Sequence, residues 1–121
     1  MRRWVDQLTA PDLSRVRDAL LELLDLLADA SAQERYEHDV RIADVPSELV
    51  CMWFDDMYLP ESPTFRSAFS AAELDALAGF NRFYSSRVSA LPAGGGVPAL
   101  HRSKAWGEIM AEAAAVRARI R

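Results

Sequence analysis

The sequence has a single cysteine, one lysine among its 14 basic residues, and no long apolar run. One cysteine excludes an internal disulfide, and the apolar runs fall far short of the ~20 residues that span a bilayer. Cys51 lies in an apolar segment without a flanking cation, so we expect a buried structural thiol. Asp6 and Gln7 interrupt the apolar run that a signal peptide would need near the N-terminus. We therefore predict no signal peptide and expect a cytoplasmic location.

Sequence signatures of catalytic, metal and nucleotide sites are also missing. Residues 94–96 are three consecutive glycines, but no strand precedes them and no Gly-Lys-Ser/Thr follows, so we predict a flexible linker. His38 has no second ligand at helical spacing and is expected to be a surface or packing residue. Asp55 and Asp56 are adjacent and would point about 100° apart on a helix, which excludes a dyad between them. We expect no enzymatic activity, no metal and no cofactor.

Length and composition are typical of one folded domain spanning residues 1–121, with 50% apolar and 26% charged residues. The net charge of -4 is unevenly distributed, because residues 1–100 carry 9 basic and 16 acidic side chains and residues 101–121 carry 5 and 2. An acidic body repels nucleic acid and anionic membranes and favours cationic partners.

Hydrophobic periodicity predicts an all-α fold, an irregular bundle of about four main helices at about 10–34, 46–59, 70–91 and 103–120. Pro46 suits a first helical position, and Pro60 ends the second helix. Ser70 and Glu73 form a capping box at the start of the third. Ser103 is the predicted cap of the last helix.

The segment from Arg35 to Asp44 has a different pattern. Tyr36, His38, Val40 and Ile42 alternate with polar residues, which is typical of a strand. A lone strand would leave its backbone groups unpaired, so we predict an extended connection laid across the bundle.

Four acidic residues of the first helix form a ridge that no Lys or Arg interrupts: Asp18, Glu22, Asp25 and Asp29. Their spacing of four, three and four places them on one face, where like charges repel by a few tenths of a kcal/mol per pair. The ridge is either a solvated face that happens to be acidic or a docking surface for a basic partner. Asp55 and Asp56 are a second acidic candidate.

The helix Glu48–Asp56 (Glu-Leu-Val-Cys-Met-Trp-Phe-Asp-Asp) and the capped helix opening Phe69–Leu74 (Phe-Ser-Ala-Ala-Glu-Leu) resemble the small helical immunity proteins of bacterial contact-dependent growth inhibition and related toxin systems. The resemblance covers residues 45–91. It implies that the protein binds a cognate toxin domain, often a nuclease with a basic surface, and blocks it. These families vary in fold and contact residues, so no site residue transfers by position.

Three hypotheses follow for the function. In the first, a non-enzymatic immunity or inhibitor-type protein binds and neutralises a basic toxin domain through an acidic helical surface, with six partner-binding residues: Asp18, Glu22, Asp25, Asp29, Asp55 and Asp56. In the second, a small helical enzyme or ligand-binding regulator uses an interhelical pocket near Trp53, Asn81, Tyr84 and His101. For Asn81, inside an apolar stripe, we expect a bond to Tyr84 or to a loop carbonyl. The third is a self-associating structural protein.

Overall fold

The computed structural model describes residues 10–40 and 43–120. Within these residues the chain is all-α, which confirms the predicted fold class, and seven α-helices form an irregular bundle. They are α1 (Ala10–Ala28), α2 (Ala30–Asp39), α3 (Val45–Cys51), α4 (Pro63–Ser67), α5 (Ala71–Arg87), α6 (Gly96–His101) and α7 (Lys104–Ala118). Two of them, α4 and α6, are short helices that the periodicity did not predict.

The first predicted helix is wrong in its length, because it breaks at Asp29. This residue has an extended backbone, with φ -120° and ψ 104°, and its carboxylate accepts the Ala32 N–H at 3.1 Å. Asp29 is therefore the N-cap of α2, a position that aspartate favours. The leucine periodicity continues across the break, which is why the sequence pattern suggested one long helix.

The extended connection predicted for Arg35 to Asp44 is also wrong over its first half. Helix α2 runs to Asp39, so the alternating residues Tyr36 and His38 lie on a helix. Val40 then leaves the helix and is exposed, and Ile42 lies outside the described residues. An alternation over only a few residues is compatible with the period of a helix as well as that of a strand. The N-cap at Asp29 favours the helix here.

The second predicted helix is confirmed in position but changes its winding. Asp44 caps it, and Pro46 lies in its first turn. From Met52 to Met57 the chain follows a π-helical turn, which ends where the Tyr58 N–H donates to the Trp53 carbonyl at 3.2 Å. Leu49 and Trp53 are fully buried. The wider turn brings the large aromatic side chains of this segment into the core.

The capping signals of the last two long helices are confirmed. Ser70 accepts the Glu73 N–H at 3.1 Å and Glu73 accepts the Ser70 N–H at 2.9 Å, which is a complete capping box. Ser103 accepts the Trp106 N–H at 3.2 Å and caps α7. Helix α5 ends at Arg87, earlier than predicted, and a 3₁₀ turn covers Val88–Ala90.

Of the three glycines predicted to form a linker, Gly95 is the N-cap of α6 and Gly96 is its first residue. Gly95 and Gly96 have φ of 89° and 65°, a left-handed conformation that glycine adopts readily. A carboxylate oxygen of Glu37 accepts the Val97 N–H at 2.8 Å and so caps α6 from α2. A side chain at position 96 would meet that oxygen at 2.8 Å, so glycine is required there.

The core lies where α7 packs against α1 and α5, with α3 closing one side. Its largest fully buried side chains are Trp53, Trp106, Tyr84, Phe65, Phe80, Leu20, Leu24, Leu27, Leu49, Leu77, Leu100 and Ile109. Trp53 stacks on Tyr58 with ring centroids 4.8 Å apart, and Phe80 meets its edge at the same distance. Such aromatic pairs contribute beyond their buried area.

One buried polar side chain, Gln33, joins four helices. Its amide nitrogen donates to the carbonyls of Leu26 and Leu27 at 2.9 and 3.1 Å. Its amide oxygen accepts from Trp106 Nε1 at 3.1 Å and contacts His101 Nε2 at 2.8 Å, which makes that ring nitrogen the donor. Gln33 thus donates to two carbonyls at the end of α1, of which that of Leu26 also accepts the Asp29 N–H at 3.3 Å, and ties α2 to α6 and α7.

A bidentate ion pair joins α1 to the start of α5. The two Arg17 terminal nitrogens each donate to a Glu73 oxygen at 2.8 Å, and one of them also donates to the Ala68 carbonyl at 3.0 Å. The guanidinium lies over the Phe69 ring, 5.3 Å from its centroid. The hydrogen bond from Arg17 is the main cause that lowers the pKa of Glu73 from 4.5 to about 2.

Replacing Gln33 by leucine tests the role of the buried amide. We expect Gln33→Leu to lower the free energy of unfolding by about 3 kcal/mol, because Trp106 Nε1, His101 Nε2 and the Leu27 carbonyl lose the Gln33 amide as a partner. Urea denaturation measures this loss. Ser31→Ala, an exposed change on the same helix, is the control and should have little effect. A loss below ~1 kcal/mol for Gln33→Leu would contradict the assignment.

Replacing Glu73 by glutamine tests the ion pair, since glutamine also fits a capping box. The folded pKa lies below the ordinary value, so the pair stabilises the fold above about pH 4.5 and loses this effect as pH falls towards about 2. We expect Glu73→Gln to cost about 1–2 kcal/mol at pH 7, discounted for partial solvation. The cost should vanish near pH 2. An equal difference from wild type at both pH values would contradict this account.

Candidate functional site

Asp18 and Glu22 are the two ridge residues whose charges remain available. Both side chains are exposed on α1, on the side opposite the buried leucines. Neither forms an ion pair with any residue that the structure describes. Their spacing of four residues places them one turn apart on the same face. This part of the ridge is as predicted: two adjacent carboxylates that face solvent.

The other two ridge residues have roles within the fold. Asp25 is 59% exposed, and its carboxylate lies 3.0 Å from Arg117 Nε on α7. Nε is buried and forms no hydrogen bond, whereas Nη1 of the same side chain donates to the Ile120 carbonyl at 2.7 Å. Asp29 is the α2 cap. The sequence suggested a ridge without arginine. This expectation is wrong in the folded chain, because Arg117 from the distant helix α7 reaches Asp25.

Asp55 and Asp56 lie on the π-helical turn and are both exposed. Their neighbour Trp53 points inward and donates from Nε1 to Asn81 Oδ1 at 3.0 Å, which anchors the turn to α5. The two aspartates form a second acidic group, carried by a different element from the ridge. Sequence reasoning identified both residues, although it did not predict the π-helical winding that presents them.

The pocket proposed near Trp53, Asn81, Tyr84 and His101 is not formed by these residues. Trp53 and Tyr84 are fully buried, and Tyr84 donates to the Leu49 carbonyl at 3.2 Å. Asn81 bonds Trp53, which corrects the expectation of Tyr84 or a loop carbonyl. His101 contacts Gln33. Burial raises the pKa of Tyr84. Trp53 and Asn81 thus bond each other, Tyr84 and His101 have partners elsewhere, and the four side chains line no common pocket among those found.

Two findings on the described residues concern metal ligands and membrane-spanning helices. No group of three or more His, Cys, Asp or Glu side chains there could hold a metal ion. His38 is exposed, as expected, with Nδ1 3.3 Å from Asp39 Oδ1. None of the helices described is both long and apolar enough to cross a bilayer.

Cys51 is exposed, which contradicts the predicted buried thiol. It borders a small groove of about 250 Å³ between α3 and the segment after α5, lined by Val50, Val88 and Leu91 among others. Partial desolvation, followed by the hydrogen bond and charge of Asp55, raises the pKa of the Cys51 thiol. The thiol is accessible but weakly nucleophilic, because the thiolate is the reactive form.

A second groove, between α5 and α7, was not anticipated from the sequence. It has a volume of about 570 Å³ and is lined by Ala72, Ala76, Gly79 and Phe83 of α5 and by Glu112 and Arg119 of α7, among others. The one local signal for it is Gly79, an isolated glycine inside a helical pattern. Such a glycine commonly has a packing or functional reason.

The accessibility of Cys51 can be tested with an aromatic disulfide reagent on the folded protein. We expect the thiol to react fully without denaturant, slowly at pH 8 and faster as pH rises, because its pKa is raised. Absorbance of the released thiolate follows the reaction, and the same protein in denaturant gives the reference rate. A thiol that reacts only after unfolding would contradict the exposed position.

Comparisons of this chain with protein-family models, with curated proteins and with solved structures give no match. The resemblance to immunity proteins therefore stands on the residues quoted for it, and the function is argued below from the geometry of this chain.

Proposed function

We propose that this chain is a non-enzymatic, immunity-type protein that binds a basic protein, such as a toxin nuclease domain, through its acidic helical surface and neutralises it by occlusion. The observation that carries the proposal is a set of exposed carboxylates that form no ion pair with a residue that the structure describes. Asp18 and Glu22 on α1 and Asp55 and Asp56 on the π-helical turn are the four that we assign to the contact.

Electrostatics support this choice of surface. An unpaired exposed carboxylate stays hydrated and charged, and a row of them attracts a basic surface and speeds its association. The carboxylates that the fold uses are arranged differently. Asp25 lies against Arg117, and Glu73 lies in its bidentate pair with Arg17. The acids that join helices are thus paired with arginine, whereas Asp18, Glu22, Asp55 and Asp56 form no ion pair with a described residue.

Rigid helical support favours binding by a preformed surface. Trp53, fully buried and bonded to Asn81, holds the turn that carries Asp55 and Asp56. Asp18 and Glu22 lie on a helix of 19 residues whose opposite face is in the core. A partner that contacts these side chains has little ordering cost to overcome, which favours tight binding.

Charge reversal of two ridge residues tests the proposal. The partner is first recovered by pull-down from the source cell and purified, and its affinity is measured by titration calorimetry at several salt concentrations. We expect Asp18→Lys/Glu22→Lys to weaken binding by roughly tenfold or more and to reduce its salt dependence. Asp25 and Asp29 are left intact, because their replacement would disturb the α7 contact and the α2 cap.

The matched control is Glu34→Lys/Asp39→Lys, which changes the net charge by the same amount at exposed positions of α2. Its affinity should fall far less than that of the ridge variant. An equal loss of affinity in both variants would mean that only the overall charge matters. Unchanged affinity in the ridge variant would mean that α1 does not contact the partner.

A further inference from the structure

Arg117 of α7 lies beside Asp25, the ridge residue that is in an ion pair with a described residue. Its Nε is 3.0 Å from Asp25 Oδ1, and the two side chains are 33% and 59% exposed. Among the buried and half-buried residues that the structure describes, this Nε is the single buried side-chain nitrogen or oxygen without a hydrogen-bond partner. A buried donor without an acceptor is costly. The contact therefore brings two opposite charges together without the hydrogen bond of an optimised salt bridge.

The pair of Arg17 and Glu73 shows how this fold holds a carboxylate that joins two helices. Both Glu73 oxygens accept from Arg17 at 2.8 Å, and the two side chains are only 25% and 16% exposed. Asp25 is much more exposed, and it accepts no hydrogen bond from Arg117 Nε. Solvated ion pairs without good geometry contribute little to stability. Release of Asp25 from Arg117 therefore costs the fold little.

Asp25 continues the row of exposed carboxylates that Asp18 and Glu22 begin on α1. It follows Glu22 by three residues, and Cβ atoms at this spacing on a helix are about 5–6 Å apart. A basic surface that contacts Glu22 therefore also comes within reach of Asp25. In the free protein, Arg117 already supplies a positive charge to Asp25. A cation of the partner must compete with Arg117 for this carboxylate.

We propose that Arg117 forms an autoinhibitory contact with the acidic surface: it holds Asp25 in the free protein and gives it up when a lysine or arginine of the basic partner takes its place. Asp25 then becomes a third carboxylate of the binding surface, beside Asp18 and Glu22. The hydrogen bond from Arg117 Nη1 to the Ile120 carbonyl, at 2.7 Å, does not involve Asp25 and keeps the arginine on α7 during this exchange. The inference rests on the acidic-surface proposal, because it concerns the regulation of the same surface.

Arg117→Gln tests the contact, and Arg119→Gln is the matched control. Arg119 is exposed on the chain just after α7, has the same charge and forms no ion pair with a described residue. The probe is a labelled peptide of about eight arginines, and fluorescence anisotropy measures its affinity for the full chain at low ionic strength, where exposed charges are least screened. We expect Arg117→Gln to bind the peptide about threefold more tightly than Arg119→Gln, an effect of the size that an exposed ion pair allows.

Two neutral substitutions of nearly unchanged size separate competition by Arg117 from a change in overall charge. In the wild-type chain, Asp25→Asn should weaken peptide binding less than Glu22→Gln, because Arg117 already offsets the charge of Asp25. In the Arg117→Gln background, the two substitutions should weaken binding equally. Melting curves establish that each variant is folded at the temperature of the measurement. The comparison in the wild-type chain decides by itself if Arg117→Gln does not fold.

Two results would overturn the inference and leave the acidic-surface proposal intact. The first is equal peptide affinity in Arg117→Gln and Arg119→Gln, while Asp18→Lys/Glu22→Lys still weakens binding. The second is an equal loss of affinity from Asp25→Asn and Glu22→Gln in the wild-type chain, which would mean that Arg117 does not restrain Asp25. Absence of peptide binding in both the wild-type chain and Arg117→Gln is a different outcome, because it would remove the acidic surface as a binding site and the inference with it.

Discussion

The end of α1 depends on a side chain from the next helix. A helix leaves its last carbonyls without intrahelical donors, and burial without partners would be costly. Here the Gln33 amide supplies two donors to those carbonyls and presents its oxygen to Trp106 and His101. A single buried amide thus permits the break at Asp29, sets the direction in which α2 leaves, and fixes where α6 and α7 lie. Since every hydrogen-bonding group in this network has a partner, the network favours one arrangement of these helices.

Local signals in the sequence account for much of the fold. The Ser70–Glu73 capping box and the Ser103 cap were predictable because each needs only residues three positions apart. The all-α class was predictable because apolar periodicity persists over whole helices. The break at Asp29 was not, since the leucine spacing runs through it and the compensating Gln33 contacts depend on tertiary packing. The π-helical turn was not predicted either, because the contact that anchors it, from Trp53 to Asn81, joins residues 28 positions apart in the sequence.

The residues of the candidate surface also differ in whether local sequence or tertiary packing determines their environment. Exposure of Asp18 and Glu22 follows from helical geometry alone, so the sequence was sufficient for them. The fate of Asp25 depended on Arg117, which is distant in sequence and reaches it only once α7 has packed on α1. Cys51 was misassigned for a related reason. Its segment is the most apolar in the chain, but the helix rotation that buries Leu49 and Trp53 leaves the thiol on the outer side.

One feature of this molecule carries a cost that its own folding does not require. The exposed carboxylates of Asp18 and Glu22, one turn apart on α1, repel mildly and form no ion pair with a described residue. Many local rules are followed in the described chain, with side-chain caps at helix starts and a satisfied Gln33 amide, although Arg117 Nε is buried without a hydrogen-bond partner. In such a protein, departures from local rules are expected where function constrains the surface. That the acidic row of Asp18 and Glu22 lies on an exposed helical face is the physical reason to look for the protein's activity in contacts with other macromolecules.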